Sequence, residues 1–112
     1  MITKKELVAL LEDIGVPVGY RISKKDKKPP YISYYLENSN NVEADGVIYF
    51  TIESLAIEFY MASKDPEFEE KIEQCFNDND LIWNKEEDYT EGTNRIIVTY
   101  RLDMKGETDG GE

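Results

Sequence analysis

The feature that most constrains the fold is a change of hydrophobic period within residues 57–76. The first part alternates apolar and polar side chains, which predicts a strand. The second part predicts a helix, because its apolar residues follow helical spacing: Phe68, Ile72, Cys75 and Phe76. Between them, Asp65 can accept hydrogen bonds from the first helical amides, and Pro66 suits a first turn that needs no amide donor. The junction therefore predicts a strand followed at once by a helix.

The remaining elements are predicted from local pattern and turn signals. They are a helix over 4–14, a strand over 31–37, an extended segment over 47–52 with room for a bend before a strand over 55–61, the helix after Pro66, and strands over 81–85 and 95–104. The Asn-rich run 38–41 is interpreted as a break, Asp45-Gly46 as a turn and the acidic run 86–93 as a loop. The order α-β-β-α-β-β predicts an α+β, sandwich-like fold: a mainly antiparallel sheet of about four strands with two helices on one face.

A chain of 112 residues predicts one domain, which we place at residues 1–104. Within it, a basic loop over about 20–30 is expected to be mobile, and the acidic, Gly-rich segment 105–112 to be a disordered tail. A run of about 18 apolar residues is absent, as is a signal peptide, so we expect a cytoplasmic protein without a membrane span.

The charge is distributed unevenly along the chain. The net charge is −11, and residues 57–112 hold 16 acidic and 6 basic side chains, whereas residues 1–56 hold 8 and 7. An acidic surface disfavours nucleic-acid binding by the protein as a whole, because neutralising phosphates requires Lys and Arg. The exception is a cluster of five basic residues: Arg21, Lys24, Lys25, Lys27 and Lys28.

Two interpretations of this basic cluster stay open. It can be a solvated loop that adds solubility, or a loop that binds an anion, which could be DNA phosphate or the acidic half of another copy. A head-to-tail contact between the two signs of charge generates a ring if its rotation closes.

The sequence contains no recognisable catalytic, cofactor or metal motif. It has no histidine, the usual group for proton transfer near neutral pH. Cys75 lies on the apolar stripe of a helix, which favours a structural thiol over a nucleophile. The acidic run 86–88 lacks the spacing of a calcium loop, and no phosphate-binding Gly-rich loop occurs. We therefore expect a protein that is not an enzyme and has no small-molecule substrate.

Eight tyrosines are present, several of them in or near one predicted strand: Tyr31, Tyr34, Tyr35, Tyr49 and Tyr60. They fit ordinary sheet packing, since aromatic side chains suit pleated surfaces. They also fit an interface, where tyrosine is enriched. The sequence does not decide between these two readings.

Several segments together resemble a known family. They are the strand 55–60 (LAIEFY), the helix start 64–69 (KDPEFE), Trp83, and an acidic loop before 96–100 (IIVTY). With the Asn-rich turn and the strand before it, this order is similar to small tail-terminator or head–tail joining (tail completion) proteins. Such proteins belong to long-tailed bacteriophages and prophages of Gram-positive bacteria. The resemblance covers residues 3–104.

The resemblance implies a structural role. In that family an α/β subunit forms a homo-oligomeric ring, typically of six copies, that caps the tail tube and contacts the head connector. The protein would lie in the host cytoplasm during assembly and then in the virion. Candidates for lining a channel that DNA traverses, or for contacting another subunit, are Arg21, Lys24, Lys25, Lys27 and Lys28. Candidates for an acidic face towards partner proteins are Glu67, Glu70, Glu73, Glu86, Glu87 and Asp88.

A competing hypothesis is a small acidic inhibitor that imitates DNA phosphates and binds a nuclease or repressor. The acidic half of the chain supplies the charge for it: Glu67, Glu69, Glu70, Glu73, Asp78, Asp80 and residues 86–88. Against it, Lys64, Lys71 and Lys85 are interspersed among these acids. The amphipathic pattern, which predicts that Glu67, Glu69, Glu70 and Glu73 are exposed on the second helix, already explains a solvated face.

Overall fold

The computed structural model describes residues 2–22, 28–44 and 46–105. In chain order its elements are α1 (Lys4–Glu12), β1 (Val18–Tyr20), β2 (Tyr31–Ala44), β3 (Val47–Met61), α2 (Pro66–Asp78), β4 (Trp83–Thr90) and β5 (Arg95–Lys105). The strands form one sheet in the order β1-β2-β3-β5-β4. The α+β class is confirmed. The expected tail lies outside the described residues from position 106 onwards.

The prediction of about four antiparallel strands is wrong in detail, because β1 adds a fifth strand that is parallel to β2. Its three residues pair with residues 32–34, and the amide of Arg21 continues the contact by donating to the carbonyl of Tyr34 at 3.0 Å. A strand of three residues is too short to show a hydrophobic period. The sheet is therefore mixed, and the element order is α-β-β-β-α-β-β.

The Asn-rich run 38–41 does not break the strand as expected. β2 continues through it, and the register shifts between Leu36 and Asn38, which is a β-bulge at Glu37. The expected turn after it is present: Ala44 pairs with Val47, and Gly46 has a φ of 79°. Pairing with the β-branched and aromatic residues of β3 outweighs the poor strand propensity of asparagine.

The β2–β3 hairpin is longer than the rest of the sheet. Among the strand pairs that the described residues form, those between β3 and β5 begin at Ile52, and residues 41–44 and 46–51 belong to the β2–β3 hairpin. We call these residues the arm. The molecule is elongated, with principal extents of 51, 27 and 21 Å.

Both helices pack on one face of the sheet, as predicted. Their buried residues Leu7 and Leu11 of α1 and Ile72 and Phe76 of α2 join one hydrophobic cluster with the strands. The strands contribute Ile32, Leu55, Ile57, Phe59, Met61, Val98, Tyr100, Leu102 and Met104. Along β3 and β5 these residues are spaced two apart, so they lie on the face of the sheet that the helices cover.

Local capping signals begin both helices where the sequence predicts. The Thr3 side chain accepts from the amide of Glu6 at 3.1 Å, and the Glu6 carboxylate accepts in return from the amide of Thr3 at 3.0 Å. At the second helix, Asp65 Oδ1 accepts from the amide of Phe68 at 3.1 Å, and Pro66 occupies the first turn. The strand-to-helix junction is confirmed.

The acidic run 86–88 lies in a strand and not in the expected loop. It belongs to β4, which pairs antiparallel with β5 through Trp83 to Thr90. Exposed charged residues are poor strand formers, so propensity predicts a loop here. The connection to β5 is the short turn 91–94 instead.

Candidate functional site

Charged residues of opposite sign lie in one outer strand of the sheet and directly after the other. β4 forms one edge, with Glu86, Glu87 and Asp88 in the strand and Glu91 in the following turn. We call this the acidic edge. β1 forms the opposite edge, and Arg21 follows it directly. We call this the basic edge.

At the basic edge, Arg21 has a left-handed backbone conformation, and its side chain contacts two aromatic rings. It has a φ of 50°, and its guanidinium carbon lies 4.9 Å from the ring centre of Tyr35 and 5.7 Å from that of Tyr20. Both distances suit a cation–π contact. Lys28 is exposed. The other three residues of the predicted basic cluster, Lys24, Lys25 and Lys27, lie outside the described part of the chain.

At the acidic edge, strand alternation sends neighbouring acids to opposite faces. Glu87 lies on the helix side, where it forms an ion pair with Lys64. Glu86 lies on the other face and accepts from Arg101 Nη1 at 2.8 Å. Asp88 is exposed on that same face of the strand, and its Oδ1 accepts from the amide of Tyr89.

The three acids of the predicted partner face that lie on α2 are also divided. Glu67 and Glu70 are exposed. Glu73 turns towards the sheet, where it accepts from Lys85 Nζ at 2.6 Å and from the Tyr100 hydroxyl at 2.9 Å. The six acidic candidates therefore occupy the outer side of α2, the α2–β4 contact and the far face of β4.

Glu69 corrects the expectation that all four glutamates of α2 are exposed, since only 2 % of its surface is accessible. Its carboxylate oxygens lie 2.7 Å from Lys64 Nζ and 3.4 Å from Lys85 Nζ. The signal was available in the sequence. Glu69 precedes Ile72 and Phe76 by three and seven residues, which places it on the buried stripe of the helix.

These charges form a network that joins α2 to β4 and β5. The hydrogen bond with Glu73 raises the pKa of Lys85, so this lysine stays charged. Burial raises the pKa of Tyr100, and its hydrogen bond to Glu73 raises it further, so the hydroxyl stays protonated and donates. The network neutralises the charges of Glu69 and Glu73 within the molecule. These two residues therefore do not add to the negative charge that is available to bind a partner.

Of the tyrosines singled out in the sequence, Tyr34 packs against the helix-side cluster, whereas the side chain of Tyr49 lies outside the described part of the structure. Tyr31 and Tyr60 are buried and stacked, with ring centres 4.5 Å apart, in a small cluster with Ile97 on the face opposite the helices. Burial raises the pKa of Tyr60, and its hydroxyl donates to Glu58 at 2.8 Å. For this pair the packing interpretation is favoured.

Two other tyrosines, which the sequence did not single out, are exposed at the sheet edges. Tyr20 of β1 is 54 % exposed and Tyr89 of β4 is 56 % exposed. Ile82, just before β4, is 89 % exposed. Each charged edge thus also carries an exposed aromatic ring.

Cys75 is half-buried on α2, and burial together with the nearby Asp78 charge raises the pKa of its thiol. A thiol held in its protonated form is a poor nucleophile. This environment suits the structural role predicted for it.

A concavity lies beside the start of β4. It has a volume of about 450 Å³ and is lined by apolar and charged groups, among them Ile82, Trp83, Arg101 and Asp103. Within the described ranges, no three His, Cys, Asp or Glu residues are grouped to hold a metal ion. Neither α1 nor α2 is long and apolar enough to cross a membrane, and they are the helices that the described ranges contain.

Comparison with known proteins gives similarity at the level of structure. No protein-family model matches the chain. No curated protein matches it in sequence. Among solved structures, it is similar to a chain of the structure described as "Virion of native gene transfer agent (GTA) particle", with a TM-score of 0.55 and 14 % identity. The match covers 89 % of this chain and 84 % of the other, so the two share a fold over most of their length.

Proposed function

We propose that this chain is a virion assembly subunit of a phage-like particle. The observation that carries the proposal is the shared fold with a chain of a gene transfer agent virion, which extends over 89 % of the sequence. The family resemblance of the strand-to-helix junction leads to the same class of protein by a separate route. In this role the protein is not an enzyme, and it acts by binding other virion proteins.

More specifically, we propose a tail-terminator or head–tail joining subunit. Copies of the chain form a ring, with six as the number that the resemblance implies, which caps the tail tube and contacts the head connector. The protein is made in the host cytoplasm and then enters the virion. Opposite charges at the two edges of one sheet support such an assembly, because each copy can offer different surfaces to different neighbours.

The acidic and the basic candidate residues have different proposed roles in this assembly. We propose that the exposed acids Glu67 and Glu70 of α2 face the tube or connector proteins, since the structure leaves both exposed. The basic candidates Arg21, Lys24, Lys25, Lys27 and Lys28 contact either a neighbouring subunit or the DNA that passes through the ring. Contact with passing DNA requires only charge and no base reading.

An acidic inhibitor remains the second candidate function, but ion pairs within the chain argue against it. A phosphate mimic needs carboxylates that are available to basic residues of a partner. Glu73, Glu86 and Glu87 are instead paired with Lys85, Arg101 and Lys64 of the same chain. Competition between this protein and DNA for a basic partner would be the result that favours the inhibitor.

Deleting the gene in the element that encodes it tests the virion role directly. We expect separate heads and tails in electron micrographs, loss of infectious or transducing particles, and recovery when the gene is supplied in trans. Mass spectrometry of purified wild-type particles should detect the protein. Absence of the protein from particles, together with normal particle yield after deletion, would contradict the proposal.

A further inference from the structure

We propose that the concavity beside the start of β4 is a docking site for a segment of a partner protein that carries both basic and apolar side chains. We call this concavity the notch; it is lined by Asp80, Ile82 and Trp83 at the start of β4 and by Arg101 and Asp103 of β5. As a surface of the proposed virion subunit, the notch binds a neighbouring virion protein, and this identity of the partner rests on the proposed function.

The register of two paired strands sets the position of the notch. β4 begins at Trp83, which pairs with Leu102, whereas β5 continues to Lys105. The connection from α2 turns at Asp80, which has a φ of 57°, and then supplies Ile82 to the lining of the notch. The notch is therefore built on two strands of the sheet and not on a loop alone.

Ile82 gives the notch an apolar side chain that the chain itself leaves uncovered. It is 89 % exposed, the highest value among the large apolar residues whose side chains are described. Both neighbours of Ile82 are held in place. The amide of Leu81 donates to the carbonyl of Phe76 at 2.9 Å. Trp83 Nε1 donates to Asn77 Oδ1 at 2.9 Å. An apolar side chain on a backbone that is already ordered loses little further entropy when a partner covers it.

Trp83 gives the notch a rigid aromatic wall. Its ring centre lies 5.7 Å from that of Tyr100 and 6.2 Å from that of Phe76, so packing against the core fixes the ring. The side chain is only half-buried, which leaves part of it accessible. Fixed tryptophan rings are frequent among the residues that dominate binding, because they offer a large contact area.

The charges of the notch that remain available are negative. Arg101 is already paired with two glutamates of the same chain, at 3.3 and 2.8 Å. Asp80 and Asp103 are exposed, and neither forms an ion pair with another described residue. Asp103 Oδ1 accepts from the Ser54 hydroxyl at 2.6 Å, a contact that leaves its charge uncompensated. Two accessible carboxylates therefore lie beside the apolar groups of the notch.

These groups select the chemistry of the occupant. A lysine or arginine of a partner can place its charge near the two aspartates and its apolar stem along Ile82 and Trp83. A second copy of this chain carries a net charge of −11, so most of its approaches are repelled. The favoured occupant is a segment of a different protein in which basic and apolar residues are neighbours.

Two variants and a matched control test the docking site. Asp80→Asn with Asp103→Asn removes both available charges; asparagine tolerates the positive φ at position 80 and keeps a side-chain acceptor at position 103. Ile82→Ala removes the exposed apolar contact. The control, Glu12→Gln with Asp13→Asn, makes the same charge change as the first variant on exposed positions at the end of α1.

The probe is a short peptide with blocked ends in which lysine alternates with valine. Calorimetric titration measures its binding to each full-length chain, and the emission of Trp83, the single tryptophan, reports contact at the notch. We expect the wild type and the control to bind it alike, and the aspartate variant to bind about fivefold more weakly because two exposed ion pairs are lost. Ile82→Ala should also bind it more weakly. Replacing valine by serine in the peptide should weaken binding, and replacing lysine by glutamate should abolish it.

Equal affinity of the wild type and both notch variants would overturn the docking site, as would a wild type that does not bind the lysine–valine peptide. Self-association of the wild type that the aspartate variant loses would overturn it in favour of a second copy as the occupant. Thermal unfolding shows that a variant is folded, and all these substitutions change exposed side chains. Protein found in particles without peptide binding would refute the docking site and leave the virion role standing. Peptide binding by a chain that is absent from particles would do the reverse.

Discussion

The helix-covered part of the sheet and the arm are built from the same two strands but are supported differently. Over residues 54–61, β3 has β2 and β5 as neighbours and lies under the hydrophobic cluster of both helices. In the arm, the strand pairing that the described residues show is the one between β2 and β3. A two-stranded hairpin is at most marginally stable on its own in water, so the arm depends on the sheet and contributes little to it.

The largest effect is expected in the helix-covered part. Phe76 is fully buried, and its ring centre lies 5.4 Å from that of Tyr100 and 6.2 Å from that of Trp83. Phe76→Ala should lower the free energy of unfolding by about 3–5 kcal/mol, measured by urea denaturation. The exposed Ile82→Ala is the control and should change it by less than about 0.5 kcal/mol. Similar losses for both variants would contradict the packing described.

The second-largest effect is a loss of stability at alkaline pH, and it again concerns the helix-covered part of the sheet. Burial raises the pKa of Tyr60 and of Tyr100 above the ordinary value of about 10. A raised pKa in the folded state means that the stability it contributes is complete below about pH 10 and is lost as the pH rises further. At about pH 11, each of these tyrosines should therefore lower the free energy of unfolding by about 1.4 kcal/mol relative to neutral pH.

The variant Tyr60→Phe with Tyr100→Phe checks this pH dependence. Its free energy of unfolding should be lower near pH 7, because two hydrogen bonds are lost, but should fall less steeply between about pH 9 and 11. The control is Phe59→Leu, which changes a buried ring of β3 that has no hydroxyl; it should lower the free energy of unfolding but keep the wild-type slope. Identical slopes in all three proteins would argue against buried, protonated hydroxyls.

A smaller effect is expected from the charge network. Glu69→Ala removes a buried acceptor from Lys64 and Lys85, which remain partly exposed and can be hydrated. We expect a loss of about 1–3 kcal/mol in thermal or urea unfolding. Glu70→Ala changes the next residue of the same helix, which is exposed, and should stay within about 0.5 kcal/mol. Equal values for the two would mean that the network does not stabilise the α2–β4 contact.

The smallest effect is expected in the arm. Joining Asn40 to Ile52 by Asn-Gly removes the arm at a position where these residues already pair, and Asn-Gly favours a two-residue hairpin turn. The free energy of unfolding should change by less than about 1 kcal/mol. A loss above about 2 kcal/mol would break the comparison, because the arm would then support the sheet.

Local signals predicted the fold best. Thr3 and Asp65 cap their helices as expected, since a cap depends on residues within one turn of it. The strand alternation in β3 and β5 also predicted which face the helices cover, because period two is set by the backbone.

Features decided by distant parts of the chain were missed. β1 is a strand only because residues 32–34 lie beside it, and Asn38 and Asn40 stay extended because β3 pairs with them. Of the candidate site, the acidic and basic sets were found from composition, but the placement of residues 86–88 in one outer strand and of Arg21 after the other required the strand order. That order places β5 between β3 and β4, which no local pattern indicates.

The position of β5 between β3 and β4 has a consequence for when a newly made copy can fold. β5 follows β4 in the chain, yet it pairs with β3 on one side and β4 on the other. While the ribosome still holds Arg95–Lys105, β4 lacks the strand that positions it and the sheet cannot close. The acidic edge therefore forms only after β5 has emerged, so a new copy cannot offer this surface to any partner before β5 is free to pair.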